Sequence, residues 1–140
     1  MKSTLLIVDD RPENLVVLRA LLGGSYNLIP AHSGLEALEL LTENIVDLVL
    51  LDIEMPGMDG YETTRRIRQM PHHEDVPIIL VSGVFTEDPY VKKGYEAGAV
   101  DYFTKPFDAE ILKQKVALYA SLRQKDARIR ELEERLRARA

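Results

Sequence analysis

Five polar positions in this sequence stand directly after short apolar runs, and their types together could carry phosphoryl chemistry. Asp9 and Asp10 follow residues 4–8 (TLLIV), Asp52 follows 47–51 (DLVLL), Ser82 follows 78–81 (IILV) and Lys105 follows 100–104 (VDYFT). Three carboxylates gathered at one place repel one another and invite a hard divalent cation. Mg²⁺ takes one or two carboxylates, a carbonyl and several waters, and keeps positions open for a phosphate. Asp10, Asp52 and the backbone carbonyl of Glu54 could supply three oxygens, with Asp9 orienting a bound water; Mn²⁺ is the alternative ion. A carboxylate can also act as the nucleophile in phosphoryl transfer and form an aspartyl phosphate. The cation and Lys105 would then neutralise charge on the transferring group. Ser82 could donate a hydrogen bond to the same group, and Gly83 leaves a backbone amide accessible beside it.

These residues meet only if the apolar runs are neighbouring parallel strands. The runs are continuous rather than alternating, as fully buried parallel strands are. Between them lie helical patterns. Pro12 opens the first, with Leu15, Val16, Leu18, Leu21 and Leu22 at helical spacing before Gly23-Gly24. Ser33 caps the second with Glu36 three residues on, and Leu35, Leu38, Leu41 and Ile45 form its apolar stripe. A turn-rich loop at 55–60 (MPGMDG) precedes a third helix over 61–70. The fourth begins near Pro89, and Gly94 and Gly98 weaken it. A short second strand spans 26–29 and the last spans 100–104. Five strand–helix repeats predict an α/β, flavodoxin-like (βα)5 fold with a five-stranded parallel sheet in the order 2-1-3-4-5. In such a sheet every strand's carboxyl end lies on one edge, so all the singled-out groups converge there. The edge strand, the second, contributes nothing comparable.

Composition narrows the function classes. The 140 residues include no Cys, which removes disulfides, thiolate metal sites and a cysteine nucleophile. No run approaches about 18 apolar residues, so no membrane span is expected. Met1-Lys2-Ser3 leads straight into a strand without a cleavable apolar segment, and the expected location is cytoplasmic. Residues 1–120 hold 11 basic and 19 acidic side chains, a net of −8, whereas 121–140 hold 7 and 4, a net of +3. An acidic body argues against direct nucleic-acid binding. His72-His73 beside Glu74-Asp75 reads as a solvated loop, since adjacent side chains chelate one ion poorly, and His32 as a local polar contact. No glycine-rich nucleotide fingerprint is present.

From Asp108 the helical pattern continues without Gly or Pro to the end. Ile111, Leu112, Val116 and Tyr119 are expected on the sheet. Leu118, Leu122, Ile129, Leu132 and Leu136 fall on a seven-residue stripe interrupted by Lys125, among residues of alternating charge. The reading divides the chain into a domain over 1–120 and a helical, coiled-coil-like extension over 121–140. A lone helix is marginal in water, so the stripe is expected to pair with a second copy. The chain stops in mid-pattern, which reads as truncation before a further domain.

Taken in order, LLIVDD, LVLLDIEMPGMDG, PIILVSG and DYFTKPF resemble the motif series of the response-regulator receiver domain of two-component signalling, over roughly residues 3–120. The resemblance implies that Asp52 is the phosphoacceptor, charged from a phosphohistidine on a sensor histidine kinase or phosphotransfer protein. It implies that Asp9 and Asp10 are the acidic pair, with Asp10 the direct Mg²⁺ ligand, and that Lys105 contacts phosphate and is joined to Pro106 by a cis bond. Ser82 and Tyr102 would be the hydroxyl and aromatic that move together on phosphorylation. The expected role is a phosphorelay switch, not a turnover enzyme, controlling dimerisation or an output domain such as a diguanylate cyclase or histidine kinase. Departures are Glu54, where the family often has an apolar residue, and Val84; both places tune loss of the phosphoryl group. Two rivals remain: a Mg²⁺-dependent phosphatase of the haloacid-dehalogenase type, which wants DxD after its first strand, and an unphosphorylated flavodoxin-like scaffold.

Overall fold

The computed structural model describes residues 2–83 and 88–139; Val84 lies outside them. Strands β1 (Thr4–Val8), β2 (Asn27–Ala31), β3 (Leu48–Asp52), β4 (Ile78–Ser82) and β5 (Asp101–Thr104) form one parallel sheet in the order β2-β1-β3-β4-β5. Leu5–Val8 and all of β3 and β4 are buried, which is why these stretches read as unbroken apolar runs. The register sets Val8 beside Leu51, Asp52 beside Val81 and Ser82 beside Thr104. The strands therefore end level, and the residues after them share one edge.

Helices cover both faces. α1 (Pro12–Leu22) and α5 (Ala109–Arg139) pack on Leu5, Ile7, Leu48, Leu50, Ile79 and Val81. On the other face α2 (Gly34–Glu43) and α3 (Gly60–Arg68) pack on Leu6, Val8, Val49, Leu51, Ile78 and Leu80, and α4 (Asp88–Ala97) lies beside them. Gly94 lets α4 approach closely: a Cβ there would sit 2.9 Å from Leu80 Cδ1. Gly98 ends α4 at φ +115, a conformation open chiefly to glycine. Residues that weaken the helix as an isolated segment thus seat it on the sheet. Arg68 fastens the same corner, donating to the Gly98 carbonyl at 2.7 Å and the Val76 carbonyl at 2.6 Å.

Several expectations need correction. β2 runs on through Pro30 to Ala31. Asn27 N donates to the Ser3 carbonyl and Ala31 O accepts from Asp9 N, the residues flanking β1, so by the two-residue period the Pro30 nitrogen faces the open edge, where a missing N–H costs no ladder bond. The covered helix stripes are narrower than the apolar pattern. Val16, Leu35, Ile45 and Ile111 are 67%, 58%, 72% and 46% exposed, whereas Leu15, Leu41 and Leu112 are buried. Val16, Leu35 and Ile111 are one step off the core-facing row and so turned by about 100° around the helix, and Ile45 lies past the end of α2 at Glu43. His73 is not solvated: it is buried, and its Nε2 bonds the Leu41 carbonyl at 2.8 Å. His32 does make a local contact, with Glu36 at 3.4 Å.

α5 is one helix of 31 residues. Leu112, Val116 and Ala120 seat it on the sheet, and Asp101 of β5 accepts from Lys115 at 2.7 Å and Tyr119 at 3.0 Å. Farther along, Gln124 donates to Ser3 Oγ at 2.6 Å, Arg123 pairs with Asp75 at 2.7 Å, and Arg130 pairs with the same carboxylate. Beyond Ala120 none of the described residues is buried. Leu118, Leu122, Ile129, Leu132 and Leu136 are all exposed. Leu118 and Leu122 lie two residues on from Val116 and Ala120, about 200° round the helix, so the stripe faces away from the body.

Candidate functional site

The level strand ends deliver Asp9, Asp52, Ser82 and Lys105 to one cleft. Carboxylate oxygens of Asp9, Asp10 and Asp52 all lie within 4.8 Å of one another. The cleft has a volume of about 320 Å³ and is lined by Asp10, Arg11, Asn14, Asp52, Glu54, Gly83 and Lys105. A larger open groove of about 890 Å³ runs between α2 and α3 past Leu38, Thr42, Arg66 and Met70. Its Arg65 and Arg66 are paired with Glu62, and it gathers no comparable set of groups.

Each side chain is held by local structure. Asp9 is 2% exposed and accepts from Arg11 N at 2.9 Å and Asn14 Nδ2 at 3.1 Å, so the start of α1 orients it. The loop from β3 to α3 folds back on the strand. Gly60 N bonds the Ile53 carbonyl at 3.0 Å, and Asp59 caps α3 by accepting from Glu62 N at 2.9 Å. A Cβ on Gly60 would come within 2.6 Å of the Asp52 carbonyl oxygen, so only glycine permits this approach. Lys105 N bonds the Ser82 carbonyl at 2.9 Å, tying β5 to β4, and the Lys105–Pro106 peptide bond is cis.

Charge in the cleft is only partly offset by one cation. Lys105 Nζ lies 3.1 Å from Asp52 and 3.2 Å from Asp9. Burial alone would push the ammonium down, but Asp52 and Asp9 outweigh it and hold Lys105 above its ordinary value. Burial, and next the charge of Asp9, push the Asp52 carboxyl up to about 7, with Lys105 opposing. Two buried carboxylates and a third at the rim, with a single ammonium between them, make a hard-oxygen site short of positive charge.

Ser82 is fully buried and donates to Glu54 Oε1 at 2.6 Å. Tyr102, on β5, is half-buried and in hydrogen-bonding contact with both Ser82 and Tyr61. Tyr61 in turn donates to the Tyr90 carbonyl of α4 at 3.1 Å. Asn14 and Tyr61 do not stand out in the sequence pattern, whereas Glu54 stands out there as a departure; its bond to Ser82 does not. Asn14 carries a local signal, a polar residue in the first turn of the helix that follows Asp9; Tyr61 carries none.

The family model described as the response regulator receiver domain matches residues 5–117. The chain belongs to this family. Among relatives of this receiver domain, sporulation initiation phosphotransferase F of Bacillus subtilis is 33% identical over 88% of the chain and 98% of that protein. The cyclic di-GMP phosphodiesterase response regulator RpfG of Xanthomonas campestris is 34% identical over 96% of the chain, but the chain spans only 37% of it. Several other relatives are matched over about a quarter of their length or less; the chain is 26% of Caulobacter vibrioides PleD. The chain thus spans only part of the length of these longer relatives. Among solved structures, the receiver domain of a Pseudomonas aeruginosa sensor histidine kinase superposes with a TM-score of 0.79 at 28% identity, covering 86% of this chain and 99% of that one. It is described with a magnesium ion coordinated in its active site cleft. Among the described residues, no helix of this receiver domain is long and apolar enough to cross a membrane.

Proposed function

We propose that this receiver domain accepts a phosphoryl group on Asp52 from the phosphohistidine of a sensor kinase or phosphotransfer protein. The observation that carries the reading is the convergence of Asp9, Asp10, Asp52 and Lys105 in one cleft at the carboxyl edge of the sheet. A carboxylate oxygen of Asp52 attacks phosphorus, the P–N bond breaks, and the imidazole leaves with its electron pair. The cleft's donors fit Mg²⁺: Asp10, Asp52 and the Glu54 carbonyl would hold it, with Asp9 acting through water. When bound, it would supply positive charge to the phosphoryl oxygens. Lys105 neutralises charge on the same oxygens, and Ser82 and the Gly83 amide donate hydrogen bonds to them. Tyr102 moves with Ser82, passing the change to the outer face of β5 and α4.

The chain is a phosphoacceptor, and any enzymatic output lies in another domain. Incubation with Mg²⁺ and acetyl phosphate should add one phosphoryl mass to the wild type and none to Asp52→Asn, read by intact mass. Continuous release of phosphate from many monoesters would instead mark a phosphatase, and an unmodified wild type a scaffold. The extension over 121–140 is read as a pairing helix, supported by the outward stripe from Leu118 to Leu136. Solution molar mass should show a dimer for the whole chain and a monomer without residues 121–140; a monomer in both, phosphorylated or not, sinks this part.

A further inference from the structure

Glu54 lies two residues past Asp52, and its side chain turns back over the cleft. Its Oε1 accepts a 2.6 Å bond from Ser82, and its carboxyl group lies beside that of Asp52. Ser82 connects in turn to Tyr102, Tyr102 to Tyr61, and Tyr61 to the Tyr90 carbonyl in α4. These contacts lead from a carboxylate beside the phosphoacceptor to the first turn of α4: Ser82 gives its hydrogen to Glu54, Tyr61 gives its own to Tyr90, and Tyr102 between them has one hydrogen for one of its two neighbours.

We propose that Glu54 is a positioning residue: a resident carboxylate that holds the Ser82 hydroxyl, and through it the Tyr102–Tyr61 pair, in the resting arrangement. The proposal rests on the reading of Asp52 as phosphoacceptor. A serine hydroxyl has a single hydrogen to donate, so while Ser82 gives it to Glu54 it cannot give it to a phosphoryl oxygen. At 2.6 Å this bond lies at the short end of the range for a hydroxyl donating to an oxygen. Phosphorylation replaces the single charge of the Asp52 carboxylate with nearly two, so it adds about one negative charge beside Glu54 and offers better acceptors to Ser82. Only one of the two can hold the hydroxyl. Arrival of the phosphoryl group expels Glu54, and the tyrosine chain is released at the same moment. Glu54 therefore sets how strongly the domain resists switching, beyond the general repulsion of an added negative charge.

A double-mutant cycle with fluoroberyllate and Mg²⁺, the phosphoryl mimic followed by ¹⁹F NMR titration, separates these effects. Glu54→Ala should bind the mimic about tenfold tighter than wild type. In a Ser82→Ala background the same substitution should gain much less, since no hydroxyl remains to be contested. Equal gains in both backgrounds, or no gain from Glu54→Ala, overturn the proposal. A second measurement needs neither metal nor mimic: in ¹³C-tyrosine-labelled protein, Glu54→Ala should shift the Tyr102 and Tyr61 ring resonances. Unmoved rings overturn it as well. A wild type that gains phosphoryl mass while the cycle shows equal gains removes the Glu54 proposal alone; one that neither gains mass nor binds the mimic removes the phosphoacceptor reading with it.

Discussion

Asp52→Asn is expected to stabilise the metal-free domain at pH 8 while abolishing its stabilisation by Mg²⁺. The wild-type carboxyl is 3% exposed and lies beside Asp9, and burial and that charge push it up to about 7. The unfolded chain holds the same group near its ordinary value of 3.8. Because the folded state binds the proton more tightly, this contribution to stability is fully present below the unfolded pKa and is lost as pH rises through about 7. Above that, the ionised carboxylate costs the fold about 2 kcal/mol after allowing for solvent in the cleft. The amide of asparagine does not titrate, and Lys105 keeps Asp9 as its partner at 3.2 Å. Urea unfolding in EDTA should show the variant more stable at pH 8, with the gap closing towards pH 4. Mg²⁺ should raise the wild-type midpoint at pH 8 and leave the variant unchanged, because a ligand stabilises only the state that binds it. A gap that stays constant with pH would mean that Asp52 is not the destabilising group.

Gly60→Ala should cost about 3 kcal/mol of stability, the upper end for overpacking, and should disturb the site together with the fold. The added Cβ would meet the Asp52 carbonyl oxygen at 2.6 Å and Ile53 Cα at 2.7 Å, both backbone atoms that cannot rotate away. Relief requires moving α3 or bending the end of β3, and either displaces Asp52 or the Glu54 carbonyl. The control is Gly24→Ala, where a Cβ meets nothing within 4 Å; it should change stability by less than about 0.5 kcal/mol. Chemical denaturation measures the cost, and the rate of phosphoryl mass gain measures the damage to the site. A Gly60 variant as stable and as reactive as the control would show that the loop yields freely.

The strands and the ends of strands were legible because their signals are local. Buried parallel strands need continuous apolar runs, and a polar residue that ends such a run must lie at the sheet edge. Asp9, Asp52, Ser82 and Lys105 could therefore be placed in one cleft before any contact was known. The extent of helix burial was not legible. The spacing that puts Leu35 or Ile111 near a core-facing row does not tell how far the sheet reaches around that helix. The apolar pattern of the second strand stops at residue 29, short of Pro30 and Ala31, because whether a strand is an edge, and which way one nitrogen points, depends on its neighbour.

By itself, the sequence determined the order of strands and helices, the membership of the cleft and the long terminal helix, since each follows from periodicity and strand ends. The tertiary structure alone decided how the cleft's charges are shared. That Lys105 bridges Asp9 and Asp52, and that Glu54 holds Ser82, are contacts between residues 28 to 96 positions apart, whose geometry no local pattern encodes. The bond from Asp75 to Arg123 across the body is of the same kind. Side-chain direction at a site is set by packing from several elements at once, whereas the residue types it needs are written along the chain.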